Sequence, residues 1–339
     1  MLNEEDYNCF IGTDENGYYY FGEIKNGLKH GKGKLLYSDL TTMYEGDFVD
    51  NEFEGNGKLI SEDGTGVYIG QFKKGKFHGK GRYEKNGVLK YEGDWINGFC
   101  EGNGKSLLDD GTYYIGQFKG NLKHGKGKIY FKDGTIMYEG DFLNDYANGY
   151  GRTVLESGCY YIGEFKNGVM CGKGIEYYKN GDIKYEGEWA NNRPEGHGKI
   201  IVEKNGDCYI GEFKNGLPNG KGFVKDKNGE VKYQGDFVNG TPHGEGRSYY
   251  RDGSYYAGQF KFGLKCGTGI LFYDKEDNIE YKGEFNNDYF EGKGCFYWKN
   301  GDYFIGEFKE GLRDGKGILY DKKGNIKLEG LWIKDKLEK

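Results

Sequence analysis

The pattern Tyr, any residue, Gly, an acidic or amide residue, then Phe or Trp recurs along this chain with its glycine at 22, 46, 70, 93, 116, 140, 163, 187, 211, 235, 258, 283, 306 and 330, always 23 to 25 residues apart. Every one of these glycines except the last is followed by a Gly-x-Gly element, from Gly31/Gly33 to Gly315/Gly317, which makes thirteen full units and a shortened fourteenth. Such a period means one small supersecondary unit copied and stacked on itself, since a unit of this size cannot bury its own apolar face.

Parity within a unit identifies the element. Tyr114, Gly116 and Phe118 share one face of a strand, with Ile115 and Gln117 on the other. After a turn at Gly120 and Asn121, residues Gly125, Gly127 and Ile129 share a face, opposite Lys126, Lys128 and Tyr130. Each unit therefore reads as a β-hairpin, and a second turn signal closes it, as in Lys-Asp-Gly at 132–134 or Lys-Asn-Gly at 179–181 and 299–301. The expected fold class is all-β: an elongated single-layer antiparallel sheet, a solenoid-like meander of about fourteen hairpins, on the order of 130 Å long as a twisted or curved rod. The strand glycines should leave room for aromatic rings of neighbouring units to lie across bare backbone. Residues 1–19 read as an N-terminal capping segment and 20–339 as the array.

Composition fits a thin, ordered sheet. Only 36% of the 339 residues are hydrophobic, below the level of a globular domain with a thick core, but 32 Tyr and 22 Phe argue against disorder. The net charge of −6 gives no reason to expect nucleic acid. Seven cysteines without CxxC spacing point to a reducing compartment rather than a disulfide framework, and no apolar run is long enough to span a bilayer. The expected location is cytosolic.

The unit "YIGQF…GNLKHGKGK", with its variants "YEGDW…GFCEGNGK" and "YIGEF…GLPNGKGF", resembles the MORN (membrane occupation and recognition nexus) repeat over essentially residues 20–339. The resemblance implies an elongated twisted sheet with a groove along one side, and a stand-alone, all-repeat scaffold or adaptor at cytoskeletal or membrane-associated structures. Flagellar spoke components and scaffolds that dimerise through terminal repeats are among the proteins it is similar to. Three units depart from the pattern: Ile24 replaces the strand aromatic in the first, and Phe304 and Leu328 replace the tyrosine in the last two, as though these units were caps.

Units also alternate. Odd ones carry a lysine after the first strand and within Gly-x-Gly, whereas even ones carry Asp or Glu nearby and hold Trp95, Trp189 and Trp332. This pattern fits either cross-strand charge pairing or a lysine row facing an anionic surface such as phosphoinositide headgroups, with candidates Lys73, Lys80, Lys119, Lys126, Lys166, Lys173, Lys214 and Lys221. The groove candidates for an extended or helical partner segment are Tyr68, Phe72, Tyr91, Trp95, Tyr114, Phe118, Tyr138, Phe142, Tyr161, Phe165, Tyr185 and Trp189. Phe304, Phe308, Leu328 and Trp332 are the candidates for self-association as a homodimer through terminal repeats.

No catalytic, metal or cofactor residue is nominated. Gly120 to Lys126 approaches a phosphate-binding loop, but Gly127 stands where Ser or Thr would hold magnesium, and a strand follows instead of a helix. Four of the five histidines occupy one repeat position, which keeps them at least two hairpins apart and too distant to share a metal. The function expected is a non-enzymatic protein-binding scaffold, with an anionic-lipid module or a flagellar structural component as alternatives.

Overall fold

The computed structural model describes residues 9–13, 17–202 and 204–338. Much of the expected capping segment, residues 1–8 and 14–16, lies outside these described residues. The chain divides into two compact units, 1–169 and 170–339. Both are all-β, open antiparallel meanders in which strands pair with their sequence neighbours.

One hairpin from each unit explains the rest. In the first, strands Tyr113–Lys119 and Leu122–Tyr130 join through Gly120 and Asn121 at φ of 57° and 71°. In the second, Cys208–Lys214 and Leu217–Lys225 join through Asn215 and Gly216 at 52° and 87°. Two successive positive φ values give the tight turn whose twist matches that of the strands, and only Gly, Asn and Asp adopt it cheaply.

Glycines face glycines across the sheet: Gly116 is paired with Gly104 on one side and Gly127 on the other, and Gly127 with Gly140. The Tyr114 ring lies over the Gly116 and Gly127 backbone, where an added Cβ would intrude on it. The Tyr114 hydroxyl donates 2.9 Å to the Gln117 carbonyl on its own strand. The rings thus bed on the glycine pair of their own hairpin, not on a neighbour's as parity suggested. Neighbouring units meet edge to face instead: Tyr114 lies 5.0 Å from Phe142 of the next hairpin, as it does 5.1 Å from Phe118 on its own strand. Each buried ring contributes roughly 2–3 kcal/mol, and each edge contact about 1 kcal/mol more.

The first glycine of Gly-x-Gly has a different task. Gly125 has φ of 60° where the register shifts between Gly116 and Gln117, and the Gln117 side-chain oxygen accepts the Lys126 N–H at 2.9 Å. This is a bulge closed by the acidic or amide residue of the pentapeptide, so Gly125 beds no ring. Asp47, Asp94, Glu212 and Glu284 close their own hairpins in the same way. Phe304 lies over Gly306 and Gly317, fully buried and 5.3 Å from Trp332, so that unit loses a hydroxyl but keeps the packing.

Two outcomes follow. A methyl group added at Gly46 would lie 2.5 Å from the Asn56 carbonyl oxygen, the Gly57 Cα and the Tyr44 hydroxyl. Gly46→Ala should therefore lower unfolding free energy by about 3 kcal/mol in denaturant titration, whereas Gly17→Ala, which has open space around it and adds only the backbone strain of its φ of 78°, should lower it by about 1 kcal/mol. Burial pushes the Tyr114 and Tyr209 phenols up to about 12 from 10.0, and raises those of Tyr44, Tyr68 and Tyr281 as well. Because the folded pKa lies above the unfolded one, this stabilisation is intact below pH 10 and is lost as pH rises towards 12. Phenolate absorbance should therefore stop short of the full complement of 32 tyrosines until the sheet is lost, the remainder appearing in the same cooperative alkaline step as the far-ultraviolet dichroism change, and the full complement appearing while the sheet persists would contradict it.

Candidate functional site: the ring-free face

The rings use one face of each meander. Side chains on the other face fall into rows, because the register places equivalent positions side by side. In the first unit one row runs Lys105, Ile115, Lys128, Glu139, Arg152, Ile162. In the second unit its counterpart runs Lys199, Ile210, Phe223, Gln234, Arg247, Ala257, Ile270. Paired glycines form the floor beside these rows and leave shallow grooves. One, in the first unit, is lined by Ile69, Lys80, Arg82, Glu92, Lys105 and Ile115. In the second unit, one of about 670 Å³ is lined by Lys199, Ile210, Phe223 and Lys221, and another of about 900 Å³ by Arg247, Ala257, Ile270 and Lys282.

The structure moves the expected groove residues. Tyr68, Phe72, Tyr91, Trp95, Tyr114, Phe118, Tyr138, Phe142, Tyr161, Phe165, Tyr185 and Trp189 are all 0–6% exposed. They are the core, on the face away from the grooves, and present no surface to a partner. Of the self-association candidates, Phe304, Phe308 and Trp332 are buried in the same way, while Leu328 is exposed together with Ile326, Leu331 and Ile333.

The candidate lysines divide into two kinds. Lys80, Lys126 and Lys221, from Gly-x-Gly, reach Asp94 at 2.5 Å, Asp141 at 2.6 Å and Asp236 at 3.0 Å on the next strand. Lys173 is exposed opposite Glu188 in the register. Burial works against the charge of Asp94, but hydrogen bonds from Lys80 and from the Asn103 N–H, with the Lys80 charge, outweigh it and hold the carboxyl below its usual range. Lys73, Lys119, Lys166 and Lys214 end their strands beside the turns and are exposed. In the first unit their rim also carries exposed Ile96, Phe99, Leu122, Leu143 and Tyr146. The cross-strand pairs Ile96/Phe99, Lys119/Leu122 and Leu143/Tyr146 bring these side chains together.

The residue between the tyrosine and glycine of the pentapeptide was not singled out from sequence, nor were the apolar residues flanking the turns. Their signal was the alternation itself: Ile69, Ile115, Ile210 and Ile305 stand at one repeat position, out of phase with the buried rings. Among the described residues no group of three His, Cys, Asp or Glu side chains is placed to hold a metal ion, and no helix is long and apolar enough to cross a membrane.

Comparison with known proteins adds one decisive match. The MORN repeat model fits residues 20–42, 44–66, 68–87, 91–113, 114–136, 138–160, 161–183, 185–201, 209–231, 233–255, 256–277, 281–303 and 304–326. No curated protein matches the sequence. Among solved structures, a mutant of the TCP10 domain of Danio rerio CPAP aligns at 11% identity and TM-score 0.19, covering 82% of this chain and 95% of that one. Saccharomyces cerevisiae Sqt1 aligns at 12% identity and TM-score 0.16, covering 94% and 83%. Thirteen consecutive repeat matches, on hairpins that share one glycine-bedded ring, make this chain a member of the MORN repeat family.

Proposed function

We propose that the chain is a non-enzymatic scaffold or adaptor that holds segments of partner proteins along the ring-free face of its repeats, at cytoskeletal or membrane-associated structures on the cytoplasmic side. The observation that carries this reading is the groove row itself. Ile69, Ile115, Phe223 and Ile305 remain 39–49% exposed over open glycine floors, where a partner could bury them. Side chains there repeat along the sheet instead of converging, which suits recognition of a length of chain better than chemistry in a pocket.

A second reading has its own observation. Lys73, Lys119 and Lys166 have no ion pair among the described residues and share their rim with exposed Ile96, Phe99, Leu122, Leu143 and Tyr146; exposed Lys214 stands beside exposed Leu217 in the second unit. Lysines beside apolar and aromatic side chains suit an anionic bilayer, phosphoinositide-bearing or otherwise. Self-association as a homodimer is supported by exposed Ile326, Leu328, Leu331 and Ile333 on one strand.

A photo-crosslinking amino acid placed singly at Ile115, Phe223, Phe99 and Leu331 in cells separates these readings. The groove positions should each trap a discrete second protein, the Phe99 position a lipid-mass adduct, and the Leu331 position a covalent dimer of the chain. Protein adducts at Phe99 with none at Ile115 or Phe223 would reject the groove as the partner site. A strictly monomeric product at Leu331 would reject self-association through that strand.

A further inference from the structure

We propose that the groove row between Glu186 and Ile318 takes partner segments of one chemical kind: an extended acidic stretch bearing large apolar side chains at regular intervals, with carboxylates between them. This rests on the groove reading above and specifies its ligand. Three apolar pairs lie directly opposite each other in the register, Ile210/Phe223, Ala257/Ile270 and Ile305/Ile318. Polar pairs separate them: Glu186/Lys199 before the first, Gln234/Arg247 before the second, Lys282/Cys295 before the third. The row therefore alternates apolar and polar every two strands, with a period of four strands.

Cations outnumber carboxylates in this row three to one, Glu186 opposite Lys199 being its one carboxylate. Lys199, Arg247 and Lys282 have no ion pair among the described residues. In the adjacent row Glu212 and Glu284 accept the N–H groups of Lys221 and Lys293 at 3.1 and 3.2 Å and Asp236 holds the Lys221 ammonium at 3.0 Å, while Glu245 stays exposed at the groove. The equivalent row of the first unit, from Lys34 to Arg152, also keeps cations without an ion pair among the described residues, Lys58, Lys105 and Arg152, but its apolar residues Ile69 and Ile115 each stand between charged neighbours. The alternation of apolar and polar pairs thus belongs to the second unit.

Spacing favours an extended ligand. Four strands span roughly 19 Å, or about six residues of extended chain, an even number that points successive anchors to the same side. In a helix that distance is about 13 residues, which turns the second anchor away from the sheet. Residues between two anchors on the same side then pass over Arg247 or Lys282, and those before the first anchor over Lys199, where a carboxylate gains most.

Selection of random displayed peptides on the full chain tests this. Enriched peptides should repeat a large apolar residue about every sixth position with Asp or Glu between, and a synthetic copy should lose binding to Phe223→Asp. The doubly reversed Lys199→Glu/Arg247→Glu chain should bind that copy about tenfold more weakly, and added salt should weaken binding to the unaltered chain. All these positions are solvent-facing, so unchanged thermal melts will establish that the variants fold. Enriched peptides without acidic residues or with helical spacing, or unchanged affinity in the charge-reversed chain while Phe223→Asp still abolishes binding, would overturn the ligand chemistry and leave the groove reading standing. Binding indifferent to Phe223→Asp, or no enrichment over an unrelated β-sheet protein, would overturn both.

Discussion

A tyrosine lying on two facing glycines is the contact on which this structure depends. A single-layer sheet has no second layer against which to bury its rings, so the backbone itself has to serve as the packing surface. Gly116 and Gly127 provide it by having no side chain, and the Tyr114 hydroxyl answers the Gln117 carbonyl so that the buried ring leaves no polar atom unpaired. Repeated hairpin after hairpin, the ring meets the next unit's aromatic edge to face, as Tyr138 meets Phe165 and Tyr209 meets Phe237. Packing is then almost wholly between neighbours.

The remaining features of the unit keep that contact in register. The bulge at the first glycine of Gly-x-Gly is closed by the residue after the pentapeptide glycine, which is why that position is always Asp, Glu or Gln until the final unit. Turns are tied backwards to the preceding hairpin: the Asn51 side chain accepts the Lys29 N–H, and its own N–H donates to the Lys29 carbonyl. Asn144 and Asp145 repeat this with Lys123, where Asp145 accepts at 2.9 Å. Asx residues at these turns both tolerate positive φ and supply the acceptor that glycine lacks. Where glycine takes the second turn position, Glu54 or Glu195 of the preceding hairpin supplies the side-chain bond instead; at the swapped turn Glu101 accepts the Gly120 N–H and Asn121 accepts the Cys100 N–H.

Since the rings consume one face, only the other stays open, and this is where sequence reading went astray. The aromatic ladder was legible because its period and chemistry are strong, and a groove was expected to be aromatic for the same reason. But a ring that needs two bare glycines beneath it must lie flat and be covered, so Tyr185 and Trp189 became core. Phe223 and Arg247 looked unremarkable because their positions vary from unit to unit, and Ile210 because its isoleucine recurs only in odd units. The lysines misled for a related reason: one letter marks both Lys126, spent on Asp141, and Lys119, left at the rim, and only the register tells them apart.

Sequence alone determined the repeat, its hairpin, the alternation of odd and even units and the membership of the MORN family, because each follows from short-range periodicity that strand parity and turn chemistry translate directly into structure. Tertiary structure decided which glycine beds a ring and which forms a bulge, which lysines are neutralised, and which face stays open. Those outcomes depend on what stands opposite a residue on the next strand, a relation set by the cross-strand register and by the bulge that shifts it, neither of which a residue's own neighbours in the chain reveal.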